Sequence, residues 1–161
     1  MKTETKKTIS AYIIGIAIPL AVGALSALFT RGSMDIYGEL ELPPLAPPSW
    51  LFPVAWMILY TLMGISSATV YLKREVNPEA ATKGLTYYAV SLIVNFCWSI
   101  VFFNMRAFLL SFIVLAVLVY LLIRTILCYH KVSPVSSYLQ IPYLLWVIFA
   151  GYLNIMIYVL N

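Results

Sequence analysis

The chain has 161 residues, 63% of them hydrophobic and only 10% charged, with a formal net charge of +4. A soluble domain of this size has too little interior to hide that much apolar surface, so a soluble bundle is set aside. The positive charge sits beside apolar runs rather than in a basic patch, so nucleic acid is not the expected partner.

Residues 8–30, 42–72, 84–105 and 107–123 contain no Asp, Glu, Lys or Arg. Runs of about 20 apolar residues are long enough to cross the hydrocarbon of a bilayer as helices. The expected fold class is therefore an all-α integral membrane protein, a single bundle of five transmembrane helices. The spans are read at about 9–29, 50–72, 84–104, 107–129 and 136–159. They fill one domain, residues 1–161, with the lipid bilayer as its surroundings. The first span is longer than the apolar core of a typical cleaved leader and is read as a retained helix.

Within span 1, Gly15, Pro19, Gly23 and Ala27 recur every four residues, and span 2 carries Gly64 and Ala68 in the same way. Small residues at this spacing let helices approach closely, within one chain or between two copies. Between these spans lies LPPLAPPSW, residues 42–50. Proline lacks an amide hydrogen and drives the preceding residue toward extended backbone, so this stretch is stiff and non-helical. A loop this long in so small a bundle is often functional. It is read as a Pro-rich lid over the mouth of the bundle, with a plain connector as the alternative.

Spacings of three and four collect one face on each of three spans. Span 2 places Pro53, Trp56, Tyr60, Gly64 and Ser67 together; span 3 places Ser91, Asn95, Trp98 and Phe102; span 5 places Pro142, Trp146, Ala150 and Asn154. These rings and amides fall at similar depth. They would suit a flat apolar ligand with a few polar atoms. Helix packing plus an interfacial aromatic belt is the alternative.

Chemistry that needs buried charge is not encoded. The six carboxylates, Glu4, Asp35, Glu39, Glu41, Glu75 and Glu79, all lie outside the spans. No intramembrane ionisable group is present to couple transport to protons. No Ser/His/Asp set, carboxylate pair or metal-ligating cluster lies within a span, and no metal is expected. His130 is read as interfacial rather than a haem ligand. Cys97 and Cys128, at different depths, are read as free, packed thiols.

Lys2, Lys6, Lys7, Lys73, Arg74, Lys83, Arg124 and Lys131 fall at one end of the spans, against Arg31 and Arg106 at the other. The excess marks the cytoplasmic side, so the N-terminus is expected inside and the C-terminus outside.

Four stretches together resemble the TspO/translocator-protein family, also known as tryptophan-rich sensory proteins and peripheral-type benzodiazepine-receptor homologues. They are Tyr37-x-x-Leu40-x-x-Pro43-x-x-x-Pro47-Pro48, Trp50-Leu51-Phe52-Pro53-x-x-Trp56-x-x-x-Tyr60-x-x-Met63-Gly64, Asn95-x-x-Trp98-Ser99-x-x-Phe102-Phe103 and Pro142-Tyr143-x-x-Trp146-x-x-x-Ala150-x-x-Leu153-Asn154. The resemblance implies a cavity near one membrane surface, closed by the first loop, in a bacterial cytoplasmic membrane. It implies porphyrins (protoporphyrin IX, haem) or drug-like molecules as ligands, no required cofactor, and a homodimer. It places the pocket on Tyr37, Pro47, Trp56, Asn95, Trp98, Ser99, Phe102, Trp146, Ala150 and Leu153; Tyr60 joins them from the face it shares with Trp56. Two alternatives remain: light-dependent porphyrin breakdown, with Trp56 and Trp146 as candidate catalytic residues, and transport of porphyrins or other small molecules.

The chain departs from the family pattern at Ile36, Leu42 and Leu45, where the lid often carries two rings and a cation, and at Val114, where an acidic residue is common. A cholesterol motif needs a basic residue shortly after a C-terminal tyrosine. Tyr152 and Tyr158 lack one, so cholesterol is not expected.

Overall fold

The computed structural model describes residues 2–33 and 35–161. The side chain of Lys2, part of the charge bias, lies outside what it describes. Five long helices carry the fold: α1 (Lys2–Thr30), α3 (Leu51–Leu72), α4 (Pro78–Ser99), α5 (Phe108–His130) and α6 (Pro134–Leu160), with a short α2 (Ile36–Glu39) in the first loop. Each long helix, with its flanking turns, contains a span apolar and long enough to cross a membrane. The protein is an integral membrane bundle.

Local chemistry sets the helix ends. Pro78 and Pro134 open α4 and α6, where a missing donor costs nothing. Asn77 Oδ1 accepts from the Ala80 amide at 3.1 Å, a cap typical of asparagine. The far end of α4 was expected to run on as α-helix to about 104. Instead it widens into a π-helical turn, Ile100–Asn104, in which the Met105 amide donates to the Ile100 carbonyl at 3.1 Å. The extra residue per turn swings Phe102 and Phe103 toward the bundle interior; such turns are frequent at functional sites.

The helices close a ring in the order α1, α3, α6, α5, α4, with a thinner seam between α4 and α1. The small-residue stripe is spent inside the chain. A β-carbon on Gly64 would lie 2.5 Å from the Ile16 Cα, and one on Gly15 would lie 2.9 Å from the Ala68 Cβ. Backbones at this distance gain dispersion contacts that larger residues would forbid. Toward the N-terminal end, buried hydroxyls and an amide tie α3 to its neighbours. Ser66 donates to the Ser136 carbonyl at 2.7 Å, Gln140 Nε2 to Ser66 Oγ at 3.2 Å, and Tyr129 to Ser67 Oγ at 2.8 Å. His130 meets Ser137 Oγ at 3.1 Å, at the end where the basic residues gather.

One expectation is corrected. Cys97 was read as packed, but it lies exposed on the outer face of α4. At 100° per residue it sits just over a quarter of a turn from Trp98, whose ring points inward.

Candidate ligand cavity

At the end opposite the N-terminus, α1, α3, α4 and α6 part around a cavity of about 600 Å³. Its volume falls within the usual range of small-molecule sites, roughly 300–1,000 Å³. Each wall follows from its sequence. α3 contributes Phe52, Pro53, Trp56, Met57 and Tyr60, recurring at three- and four-residue steps. α4 and its π-turn bring Trp98, Ser99, Phe102 and Phe103; α6 brings Ala150, Leu153, Asn154 and Ile157. The fourth wall is α1, where Ala24 and Ala27 are too small to fill the space they face and Gly23 makes room for the Tyr60 ring, which a β-carbon there would meet. Tyr37 and Ser49 reach in from the first loop. Among the described residues that line it there is no Lys, Arg, Asp or Glu.

Trp56 is the hub. Its ring stacks on Tyr60 at 5.2 Å between centroids, and meets Tyr143 at 6.0 Å, Trp98 at 6.3 Å and Trp146 at 6.5 Å. Edge and offset contacts of this kind contribute about 0.5–1.5 kcal/mol each beyond burial, which holds the wall stiff. Asn154 ties the level together. Its Oδ1 accepts from Trp98 Nε1 at 3.1 Å and Ser111 Oγ at 2.9 Å, and its Nδ2 donates to the Phe108 carbonyl at 2.8 Å. Asn95 Nδ2 donates to Tyr60 Oη at 2.8 Å, while its buried Oδ1 has no partner among the described residues.

Of the eleven residues singled out in the sequence, Tyr37, Trp56, Tyr60, Trp98, Ser99, Phe102, Ala150 and Leu153 stand in the cavity wall. Pro47, Asn95 and Trp146 do not line it. Pro47 is buried in the loop, where its carbonyl accepts from Tyr37 Oη at 3.0 Å. Asn95 lies one layer behind Tyr60, only 1% exposed. Trp146 backs the wall from outside, edge-on to Phe52 at 6.0 Å. The α1 wall was missed. Gly23 does pack, against the Tyr60 ring, and the hollow lies at Ala24 and Ala27, which the four-residue repeat does not distinguish from packing residues.

The family profile described as the TspO/MBR family matches residues 15–160. The chain belongs to the TspO/MBR family. It is 37% identical over 160 residues to a tryptophan-rich protein TspO of Chlorobaculum tepidum, covering 96% of this chain and 98% of that one. It is 31% identical over 137 residues to a tryptophan-rich sensory protein of Cereibacter sphaeroides, 83% and 84% of the two chains. It is 33% identical over 138 residues to a translocator protein of Bos taurus, 85% and 82%. In this TspO/MBR chain, all four signature stretches supply residues to the cavity or to the layer behind it.

Proposed function

We propose that this chain is a membrane receptor or sensor that binds porphyrins, such as protoporphyrin IX and haem, or similar flat apolar molecules, in the cavity beneath the first loop. Its relatives carry names such as tryptophan-rich sensory protein and translocator protein, which support a sensing or receptor role. One observation carries the choice of ligand class: a cavity of about 600 Å³ walled by rings and small side chains, with no charge among its described lining residues. Rings stack on a flat ligand, and the few hydroxyls and amides orient it. A charge-free wall offers no cation to the carboxylates of a natural porphyrin. Those groups then project toward the polar rim, where Arg31 and Arg106 lie.

In this reading the protein sits in the cytoplasmic membrane with its N-terminus inside and the cavity toward the outside, because the basic excess marks the inner end. It works as a homodimer, whose interface uses a face other than the small-residue stripe that α1 and α3 spend on each other.

The test is a tryptophan-fluorescence titration of purified protein with protoporphyrin IX in the dark, followed by illumination. Saturable quenching with a stable porphyrin spectrum supports the receptor. Absence of saturable quenching overturns it. A second reading, light-dependent porphyrin breakdown, is favoured by the contact between Trp56, in the wall, and Trp146 behind it. Protein-dependent loss of the porphyrin band, slowed in Trp56→Phe, supports that reading; a rate equal to that with an unrelated membrane protein removes it.

A further inference from the structure

The loop Leu42–Trp50 does not stand above the bundle. Helix α3 starts low: the Phe52 ring meets Trp146, and Trp56 meets Tyr143 and Trp146, so Leu51 is level with about residue 150 of α6. Ten more residues of α6, roughly 15 Å of helix, rise beside the loop rather than beside α3. Along that rise the loop is pinned at two heights. Asn161 exchanges hydrogen bonds with the Glu41 backbone at 2.9 and 3.1 Å, and Tyr152 Oη donates to the Pro44 carbonyl at 2.9 Å.

The apolar slab can be measured from the opposite end. Trp98, Asn154 and Phe108 share a level through their hydrogen bonds. Lys83 on α4 and Arg124 on α5 are 15 and 16 residues away, about 22–24 Å down the helices. A hydrocarbon layer of about 30 Å measured from those charges ends several ångströms above Asn154. The ion pair Arg106–Glu39, at 3.3 Å, and the Asn161–Glu41 pairing form the polar rim near that height. Everything from Pro44 to Trp50 lies below the rim.

Irregular backbone at that depth needs its polar groups accounted for. Four of the nine residues in 42–50 are prolines and carry no donor. The carbonyls of Pro43, Pro44, Pro47, Pro48 and Ser49 accept from Ala46 N, Tyr152 Oη, Tyr37 Oη, Leu51 N and Phe52 N, while among the described residues the amides of Leu42, Leu45, Ser49 and Trp50 have no partner. No charge interrupts the stretch. On its outer side Leu45 is 81% exposed and Trp50 65% exposed, continuous with the exposed Val54 and Ile58 of α3.

We propose that Leu42–Trp50 is a proline-rich dip into the leaflet at the loop end, with Leu45 and Trp50 in contact with lipid acyl chains. The cavity is then walled on this side by a segment whose other face is lipid, not water.

The test uses the full chain in phosphatidylcholine vesicles with Cys97→Ser and Cys128→Ser. A nitroxide label is attached at Leu45→Cys or Trp50→Cys, and collision with oxygen is compared with collision with a water-soluble nickel chelate. Ile58→Cys serves as the lipid-facing reference and Glu39→Cys as the aqueous one. An oxygen-to-nickel ratio at 45 and 50 matching the Ile58 reference is the expected result. A ratio at both positions matching the Glu39 reference overturns the proposal. Both substituted side chains are exposed, so the fold tolerates the labels. No porphyrin is involved, so this result is independent of the ligand reading.

Discussion

Leu45 holds a left-handed backbone, φ 69°, in a turn closed by the Ala46 amide on the Pro43 carbonyl at 3.2 Å. With Pro44 before it, Leu45 occupies the position that a type II turn reserves for glycine. A side chain there costs about 1–2 kcal/mol, and glycine returns about 0.4–1 kcal/mol of that through a freer unfolded chain. Leu45→Gly should therefore raise stability by about 0.5–1 kcal/mol, read as a higher thermal midpoint in detergent. Tyr37 carries the second prediction at this scale. Burial lifts its phenol above the usual 10.0, and the neutral form donates to Pro47. A raised folded value means the contribution is complete below pH 10 and lost as pH rises through the raised value. Amide exchange in residues 43–50 should accelerate there relative to Tyr37→Phe, which lacks the bond at every pH; parallel profiles would remove the role. Trp146 shows what residue spacing alone leaves undecided. Its step from Pro142 and to Ala150 put it on the right side of α6, but only its contact with Phe52 shows that it stands behind the wall.

At the scale of the element, the contact between α1 and α3 is set by glycine. Gly64→Ala would place a β-carbon 2.5 Å from the Ile16 Cα, backbone that cannot step aside without moving a helix. The expected cost is about 1–3 kcal/mol, as for other overpacked sites. Gly151→Ala is the matched comparison. Its β-carbon would meet nothing closer than Phe112 at 3.9 Å, so it should gain about 0.5–1 kcal/mol of helix propensity. Unfolding of both variants in the same detergent decides it: equal shifts would mean that the close approach contributes nothing. The stripe itself was legible in the sequence as a four-residue repeat. Its partner was not, because the same repeat serves a neighbour in the chain or a second copy equally well. The π-turn at Ile100–Asn104 is hidden for a related reason: its residues suit an ordinary α-helix equally well.

At the scale of the molecule, the cavity depends on Ala150 and the small face of α1 leaving room between the helices. Ala150→Leu should weaken protoporphyrin IX binding by tenfold or more if about 1.4 kcal/mol of contact is lost to the added bulk. Trp146→Phe, acting through Phe52 and Trp56, should weaken it by less. Equal losses in the two variants would mean that Trp146 meets the ligand directly. Because no cation is among the described residues that line the cavity, and Arg31 and Arg106 at the rim are solvent-screened, the dimethyl ester of protoporphyrin IX should bind about as well as the acid, within roughly threefold. A loss far beyond that would show that a basic side chain reaches the ligand.

The five spans, their order, and the level at which rings and amides gather were determined by the sequence itself. Each rests on local quantities: an apolar run long enough for a bilayer, a period of 3.6, a tally of basic residues. Tertiary structure decided what those quantities leave free, namely how each helix is rotated and how far it is shifted along its neighbours. Rotation turned Cys97 outward, Gly23 against Tyr60, and Ala24 and Ala27 toward a hollow. Axial shift set α3 low against α6, put Trp146 behind Phe52, and carried a proline-rich loop below the polar rim. Helix rotation and shift are settled by pairwise packing across the bundle, at Gly64 on Ile16 and Asn154 on Trp98, and no single segment contains both partners.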